Sequence, residues 1–423
     1  MKNVILKIIY KVLAAYAKKV IDIHHPFVIA ITGSVGKGSA KEAIYQVMKD
    51  HFGEDEVRAN YGSLNAEIGI PLTILGYKSL PSKFLWLPFL VGAYFKTNEK
   101  KYPKYLILEM GVEHLGDIDY FTKIVRPDIA VITSLSGAHL VNFTNLLQYQ
   151  EEKISLVGKV KKNGVVIANI DDLYIKSKLR NKDILSIGIT DKSAEYCAED
   201  IHVSTKGTDF RVVSLGQKIS IKSKVIGKHL IYPLLIAYAL GQLFEIQSLQ
   251  VKKSLEKIAS VRGRMNFVEG KNGISIIDDT YNASPVAVRA ALDTLQEISY
   301  QGRKVFIMGN MNELGASEAS EHRSVGKYAR GKCDIAIFVG PNAGEMVSGY
   351  DDGKSCYQFP NRIELITSLN KLLKPNDLVL IKASQNRNFF EEVVKSIMKN
   401  PSEASKQLVR QSSFWLKKKN NNF

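Results

Sequence analysis

The sequence predicts an α/β fold of doubly wound type, repeated in two successive domains. Three observations predict it. Short apolar runs alternate with amphipathic stretches from about residue 26, a glycine-rich turn joins the first run to its helix, and a second series of runs and helices restarts near residue 263. With 423 residues, 45% of them hydrophobic, the chain is long enough to bury two or three separate cores.

Taken in order, residues 1–20 place Ile5, Ile8, Ile9, Val12, Leu13 and Tyr16 on one stripe, with Lys2, Lys7, Lys11, Lys18 and Lys19 mostly off it. That is an amphipathic helix, expected to pack on the protein itself in preference to a membrane. It has neither the long apolar run of a membrane span nor a small-residue cleavage site. Residues 27–31 read as a buried strand and 39–50 as a helix. A greasy stretch at 84–95 contains Pro88, is too short to span a bilayer, and reads as an insertion that packs or docks. Residues 105–109, 129–133 and 165–169 continue the strand series. Short alternations between about 185 and 226 suggest a small antiparallel appendage, and a helix follows at 231–244. The second series has strands at 274–278, 304–308, 335–339 and 378–381, with a helix at 285–298. The domains expected are therefore an N-terminal helix at 1–25, a P-loop-type central domain at 26–261 and a Rossmann-like domain at 262–423.

Composition narrows the partners. The three cysteines, Cys197, Cys333 and Cys356, form no CxxC pair, so neither a disulfide framework nor a zinc ribbon is encoded, and a reducing cytoplasm is expected. A net charge of +16 favours anionic partners. The lysines are scattered, and the one dense run, Lys417 to Lys419, reads as a solvated tail, so no nucleic acid is expected.

The turn after the first strand reads Thr32-Gly33-Ser34-Val35-Gly36-Lys37-Gly38-Ser39. Glycines allow a tight curl whose N–H groups face phosphate oxygens, the helix N-terminus adds positive potential, and Lys37 can reach the β- and γ-phosphates of ATP. Such loops carry Ser or Thr directly after the lysine to hold Mg²⁺; here Gly38 sits there and Ser39 follows. Glu109 ends one strand and His139 follows another, so a carboxylate and an imidazole fall at the carboxyl edge of the sheet, where they can hold Mg²⁺. Lys153, on an apparent helix, reads by itself as a solvated lysine.

In order and spacing, ITGSVGKGSAKEAI, NYGSLNAEIGIPLTIL, LILEMGVEHLGDI, RPDIAVITSLSGAHL, VRGRMNFVEGKNGISIIDDTYNASP, KVFIMGNMNELG, His322 and LVLIKAS resemble the Mur ligase family over about residues 26–400. NAEIGIPLT, DDTYNASP and MGNMNELG are most similar to its D-alanyl-D-alanine-adding branch. The resemblance implies that ATP phosphorylates a substrate carboxylate, that an amine attacks the acyl phosphate, and that the amide forms as phosphate leaves. It implies that Gly33, Ser34, Gly36, Lys37, Gly38 and Ser39 bind ATP and that Ser39, Glu109, His139 and a carbamylated Lys153 hold Mg²⁺. It also implies that Arg264, Asp279, Tyr281 and Asn282 close over the nucleotide, while Asn65, Lys382 and Ser384 meet substrate. The partners implied are a nucleotide-linked peptide precursor and D-Ala-D-Ala, with the enzyme a monomer.

Departures from the family pattern are local. The HNxxN motif appears as His229-Leu230-Ile231-Tyr232-Pro233, without its asparagines; Asn310 replaces an Asp, Ala383 a Gly and Gln385 an Arg. The loop begins at residue 33, where the resemblance implies a preceding UDP-sugar domain, and one helix stands in its place. Two further readings stay open: a folylpolyglutamate- or cyanophycin-type ligase with another substrate, and a non-catalytic nucleotide-binding subunit acting through a partner.

Overall fold

The computed structural model describes residues 2–62, 64–81, 85–135, 142–351, 355–385 and 388–420. The chain divides into two compact units, residues 1–199, 211–221 and 231–257, and residues 200–210, 222–230 and 258–423. The sequence reading gave 200–210 and 222–230 to the central domain. They belong with the second unit because Val203, Ile226 and Leu230 join its core.

Among the described residues the first sheet has strands β1 (Phe27–Thr32), β2 (Val57–Ala59), β3 (Tyr105–Glu109), β4 (Ile129–Ile132), β5 (Val165–Asn169), β6 (Leu185–Gly188), β7 (Tyr196–Ser204), β8 (Gly207–Ser214) and β9 (Gln217–Ser223). Their order is β2-β3-β1-β4-β5-β6-β7-β8-β9, parallel from β2 to β7. Two-residue turns make β7, β8 and β9 the expected hairpins. The parallel strands are continuous apolar runs because helices cover both faces. Pairing sets Ile31 opposite Glu109 and Thr32 opposite Ile132, so the carboxyl ends of β1, β3 and β4 form one edge.

The helix Lys2–His24 packs on the first unit through Ile9, Leu13, Ala17 and Val20, spaced by four, four and three residues. The buried stripe is rotated from the one read in the sequence: Ile8 is exposed, and Ala17 and Val20 complete the contact. Of the insertion expected at 84–95, the described part forms the helix Trp86–Lys96. Tyr94 of this helix meets Tyr16 edge to face with ring centroids 5.8 Å apart.

In the second unit, β10 (Asn266–Glu269), β11 (Ser275–Asp279), β12 (Lys304–Met308), β13 (Ile335–Val339), β14 (Cys356–Phe359) and β15 (Leu378–Lys382) lie in the order β10-β11-β15-β12-β13-β14. Only β10 runs antiparallel. β11 and β15 pair so that Asp279 faces Lys382 across the carboxyl edge. The C-terminal run is solvated at Lys417 and Lys418, as read, but not at Lys419. Residues Ser413–Asn420 are helical, and Lys419 is 2% exposed, with its ammonium 3.0 Å from Glu391 and 2.6 Å from Glu392. The buried carboxylate of Glu391 requires such a counter-charge, which spacing in the sequence does not reveal.

Candidate active site

The glycine-rich loop is held by the end of the neighbouring strand. Gly33 has φ +147°, and a Cβ there would lie 2.0 Å from Thr133 Oγ1, so only glycine fits. Ser34 N–H donates to Ser134 O at 2.6 Å, and the Thr133 hydroxyl donates to Val35 O at 2.7 Å. Gly36, at φ +87°, precedes the helix Lys37–Phe52 and offers no side chain to cap it. The first-turn N–H groups of Lys37, Gly38 and Ser39 thus lack a side-chain cap, an arrangement that suits an anion. Lys37 Nζ curls back over the loop to Gly33 O at 2.6 Å and Ser34 O at 3.3 Å.

Glu109 stands beside this loop. It is 7% exposed, and a Cβ at Gly38 would lie 3.6 Å from its Oε2. Asn65 donates to its Oε1 at 2.8 Å, and Lys41 Nζ lies 3.7 Å from Oε2. Its own N–H donates to Asn60 Oδ1 at 2.5 Å. Gly111, two residues on, donates to Asn65 O at 2.7 Å; a Cβ there would press within 3.1 Å of Asn65, which explains the glycine after Glu109-Met110. Lys41, buried, also donates to Asn60 O at 3.0 Å and Gly62 O at 3.1 Å, tying Asn60 and Gly62 to the helix.

Lys153 is not the solvated lysine that its residues alone suggested. It is 1% exposed on the helix Leu146–Ile154, with Nζ 4.5 Å from the centre of the Tyr149 ring. Burial first, and the charge of Lys37 second, pull its pKa well below the usual lysine range, against the opposing pull of Asp117, Glu152 and Glu109. Burial also pushes the Tyr149 hydroxyl up to about 12, offset in part by the Ser34 hydroxyl. The loop, Tyr149 and Lys153 are therefore one neighbourhood. Glu152 locks the helix by accepting from Ile118 N–H at 2.9 Å.

His139 lies outside the described residues. The strand end before it is pinned, since Leu135 N–H donates to Asp172 at 2.7 Å and Gln150 donates to Leu135 O at 2.7 Å. Among the described residues, no group of three or more His, Cys, Asp and Glu could hold a metal ion.

The C-terminal unit assembles its own polar edge. Lys382 Nζ lies 2.5 Å from Asp279 Oδ2 and donates to Asn282 O at 3.0 Å. Asp279 Oδ1 accepts from Met265 N–H at 3.2 Å. Arg264 stacks over the Tyr281 ring at 4.3 Å. Ser384 donates to Ala283 O at 2.9 Å and accepts from Asn312 N–H at 3.0 Å. His322, fully buried, accepts from Met311 N–H at 2.9 Å, a structural bond that shapes this turn. Arg264, Asp279, Asn282, Lys382 and Ser384 are thus neighbours. The lost asparagines are replaced by apolar packing: Leu230 sits against the C-terminal core, and Pro233 Cγ lies 4.0 Å from a Cβ built at Gly36.

Asp278, behind Asp279, is fully buried. Its Oδ1 accepts from the Thr280 hydroxyl at 2.6 Å, while Oδ2 has no partner among the described residues. Burial raises its pKa to about 7. The folded state therefore holds a proton between about pH 4 and 7 that the unfolded chain releases, so this group's contribution is present at low pH and lost as pH rises through 7. Asp278→Asn is expected to raise Tm at pH 8, by on the order of a few kcal/mol in stability, and to leave it nearly unchanged at pH 4. Thermal melts at the two pH values check this, and an equal effect at both would refute it.

Comparison with known proteins gives the geometry its context. Residues 31–241 match the Mur ligase middle domain, and residues 263–385 match the Mur ligase, glutamate ligase domain. A UDP-N-acetylmuramoyl-tripeptide–D-alanyl-D-alanine ligase of Buchnera aphidicola is 30% identical over 94% of this chain and 82% of its own length. This chain belongs to the Mur ligase family. As a Mur ligase it is an ATP-dependent ligase. The ligase of the same name from Haemophilus influenzae is 28% identical over 88% of this chain and 77% of its own. In fold, this Mur ligase is similar to MurF from Thermotoga maritima in complex with ADP, with a TM-score of 0.77 at 24% identity over 94% of this chain and 84% of that one. MurF from Acinetobacter baumannii gives the same TM-score at 24% identity, over 90% and 79%.

Sequence reasoning missed Lys41, Asn60 and Tyr149. Two left a signal: Lys41 follows Lys37 by four residues and Tyr149 precedes Lys153 by four, so each shares a helix face with a residue already singled out. Asn60 left none, because its bond to Glu109 spans 49 residues.

Proposed function

We propose that this Mur ligase joins D-alanyl-D-alanine to the tripeptide carboxylate of a UDP-N-acetylmuramoyl precursor in peptidoglycan synthesis, in the cytoplasm where ATP is made. The observation that carries the reading is the burial of Lys153 beside the phosphate loop and Glu109, in a chain similar over 94% of its length to a ligase of that name. In the reaction the γ-phosphoryl group of ATP passes to the carboxylate, the amine of D-Ala-D-Ala attacks the acyl phosphate, and phosphate leaves as the amide forms.

The chain's own residues meet each demand. Lys37 and the uncapped N–H groups of Gly38 and Ser39 neutralise charge on the transferring phosphoryl group, a task of positioning and electrostatics. Gly33, Ser34 and Gly36 supply the curl around the phosphates. Burial pulls the Lys153 pKa well below the lysine norm and so favours its neutral amine, whose free electron pair adds CO₂ to give a carbamate and release one proton. The resulting anion would sit next to Lys37. Glu109, Ser39 and a carbamylated Lys153 would offer Mg²⁺ the oxygen donors it prefers, and His139 is assigned to the same ion from the sequence. Mg²⁺ bound there would neutralise phosphate charge. In the C-terminal unit, Arg264, Asp279 and Asn282 are assigned to the nucleotide and Lys382 and Ser384 to the substrates; Asn65, in the first unit, is assigned to the substrates as well.

A ligation assay read by mass tests the assignment. With ATP and UDP-muramoyl tripeptide, D-Ala-D-Ala is expected to give the pentapeptide product, and glutamate none. Product with glutamate and none with the dipeptide would move the enzyme to another branch of the family.

A further inference from the structure

We infer that the helix Trp86–Lys96 is a docking surface for an anionic lipid bilayer. Its outward face is made of Leu87, Pro88, Val91, Gly92, Tyr94 and Phe95, with Leu85 just before it, and no polar side chain interrupts this face before Lys96. Leu87 is 75% and Phe95 67% exposed, whereas the inward residue Ala93 is fully buried. Scattered exposed leucines are ordinary, but a helix face that is apolar throughout is left in water only where something covers it. The face is rigidly presented. Trp86 and Phe89 pack at 5.8 Å, Phe89 and Tyr77 at 4.4 Å, and Tyr94 rests on Tyr16 of the first helix.

The surroundings say what covers it. Among the described residues of 6–24, 76–81 and 85–104 there are nine lysines (Lys7, Lys11, Lys18, Lys19, Lys78, Lys96, Lys100, Lys101, Lys104) and two acids, Asp22 and Glu99. Asp55 and Glu56, from the neighbouring turn, pair with Lys101 and Lys104. Lys19 and Lys96 lie against the aromatic rings of the patch, over Tyr94 at 5.3 Å and Tyr77 at 5.4 Å. An apolar face bordered by lysines matches the boundary between acyl chains and anionic headgroups. A second copy of this chain docked on the same face would bring two lysine-rich borders together, which like charges oppose. Eleven helical residues rise about 17 Å, near half of a ~30 Å hydrocarbon core, so the helix lies in the interface and does not cross it. Among the described residues, no helix is long and apolar enough to cross a membrane.

Flotation of the full chain with vesicles decides the matter. The protein is expected to float with vesicles of equal parts phosphatidylcholine and phosphatidylglycerol, to stay behind with phosphatidylcholine alone, and to be released by high salt. The variant Leu87→Ser, Val91→Ser, Phe95→Ser alters only exposed side chains, so its melting temperature and phosphate release should match those of the parent. Its vesicle partitioning should fall at least about tenfold. Failure to float with the mixed vesicles, equal binding to neutral vesicles, or flotation untouched by the triple variant would overturn the inference. A dimer in sedimentation velocity that the triple variant dissolves would also overturn it, assigning the face to a second copy.

Discussion

Lys37→Ala is expected to cut ATP-dependent phosphate release at least a hundredfold, with the fold intact. The side chain's hydrogen bonds to Gly33 O and Ser34 O lie within the loop it serves. What the substitution removes is the lysine proposed to neutralise phosphate charge over the curl, and a preorganised donor of this kind is worth about 10²–10³ in rate. Release measured by a coupled phosphate assay, with a melt as control, checks the result. Unchanged turnover would remove the loop from the chemistry.

Lys153→Ala is expected to be as damaging, and to differ from the first variant by being rescued. The carbamate proposed at Lys153 is a carboxylate at the end of a long arm; alanine leaves room for a small external one. Acetate or formate should therefore return a measurable part of the activity to Lys153→Ala and none to Lys37→Ala. The ε-amine is buried and its pKa lies well below the lysine norm, a shift that favours the neutral form with which CO₂ reacts. A fall in activity under CO₂ depletion, restored by bicarbonate, is the second readout. Full activity of the variant, or damage that no carboxylate relieves, would return Lys153 to a packing role.

These two lysines also mark how far the sequence could be read. Lys37 was legible because its setting is local: a strand, a glycine turn and a helix start within a dozen residues, each with its own chemical signature. The strands at 105–109, 165–169, 304–308 and 335–339 were legible for the same reason, as runs buried on both faces. The edge strands β2, β10 and β14 were not: Val57–Ala59, Asn266–Glu269 and Cys356–Phe359 are short and partly solvated, so their residues mix polar with apolar. Lys153 by itself looked like any surface lysine, and only the family resemblance singled it out.

The amino-acid order alone determined the two α/β series, the phosphate loop and the membership of both halves in one family, since each rests on periodicity or on motifs a few residues long. Tertiary structure alone decided which charges are buried and who faces them: Glu109 against Asn65 and Lys41, Lys153 beneath Tyr149, Asp279 against Lys382, Lys419 against Glu391. Those pairs join residues from four to more than a hundred positions apart, and the cost of desolvating a charge depends on every group folded around it.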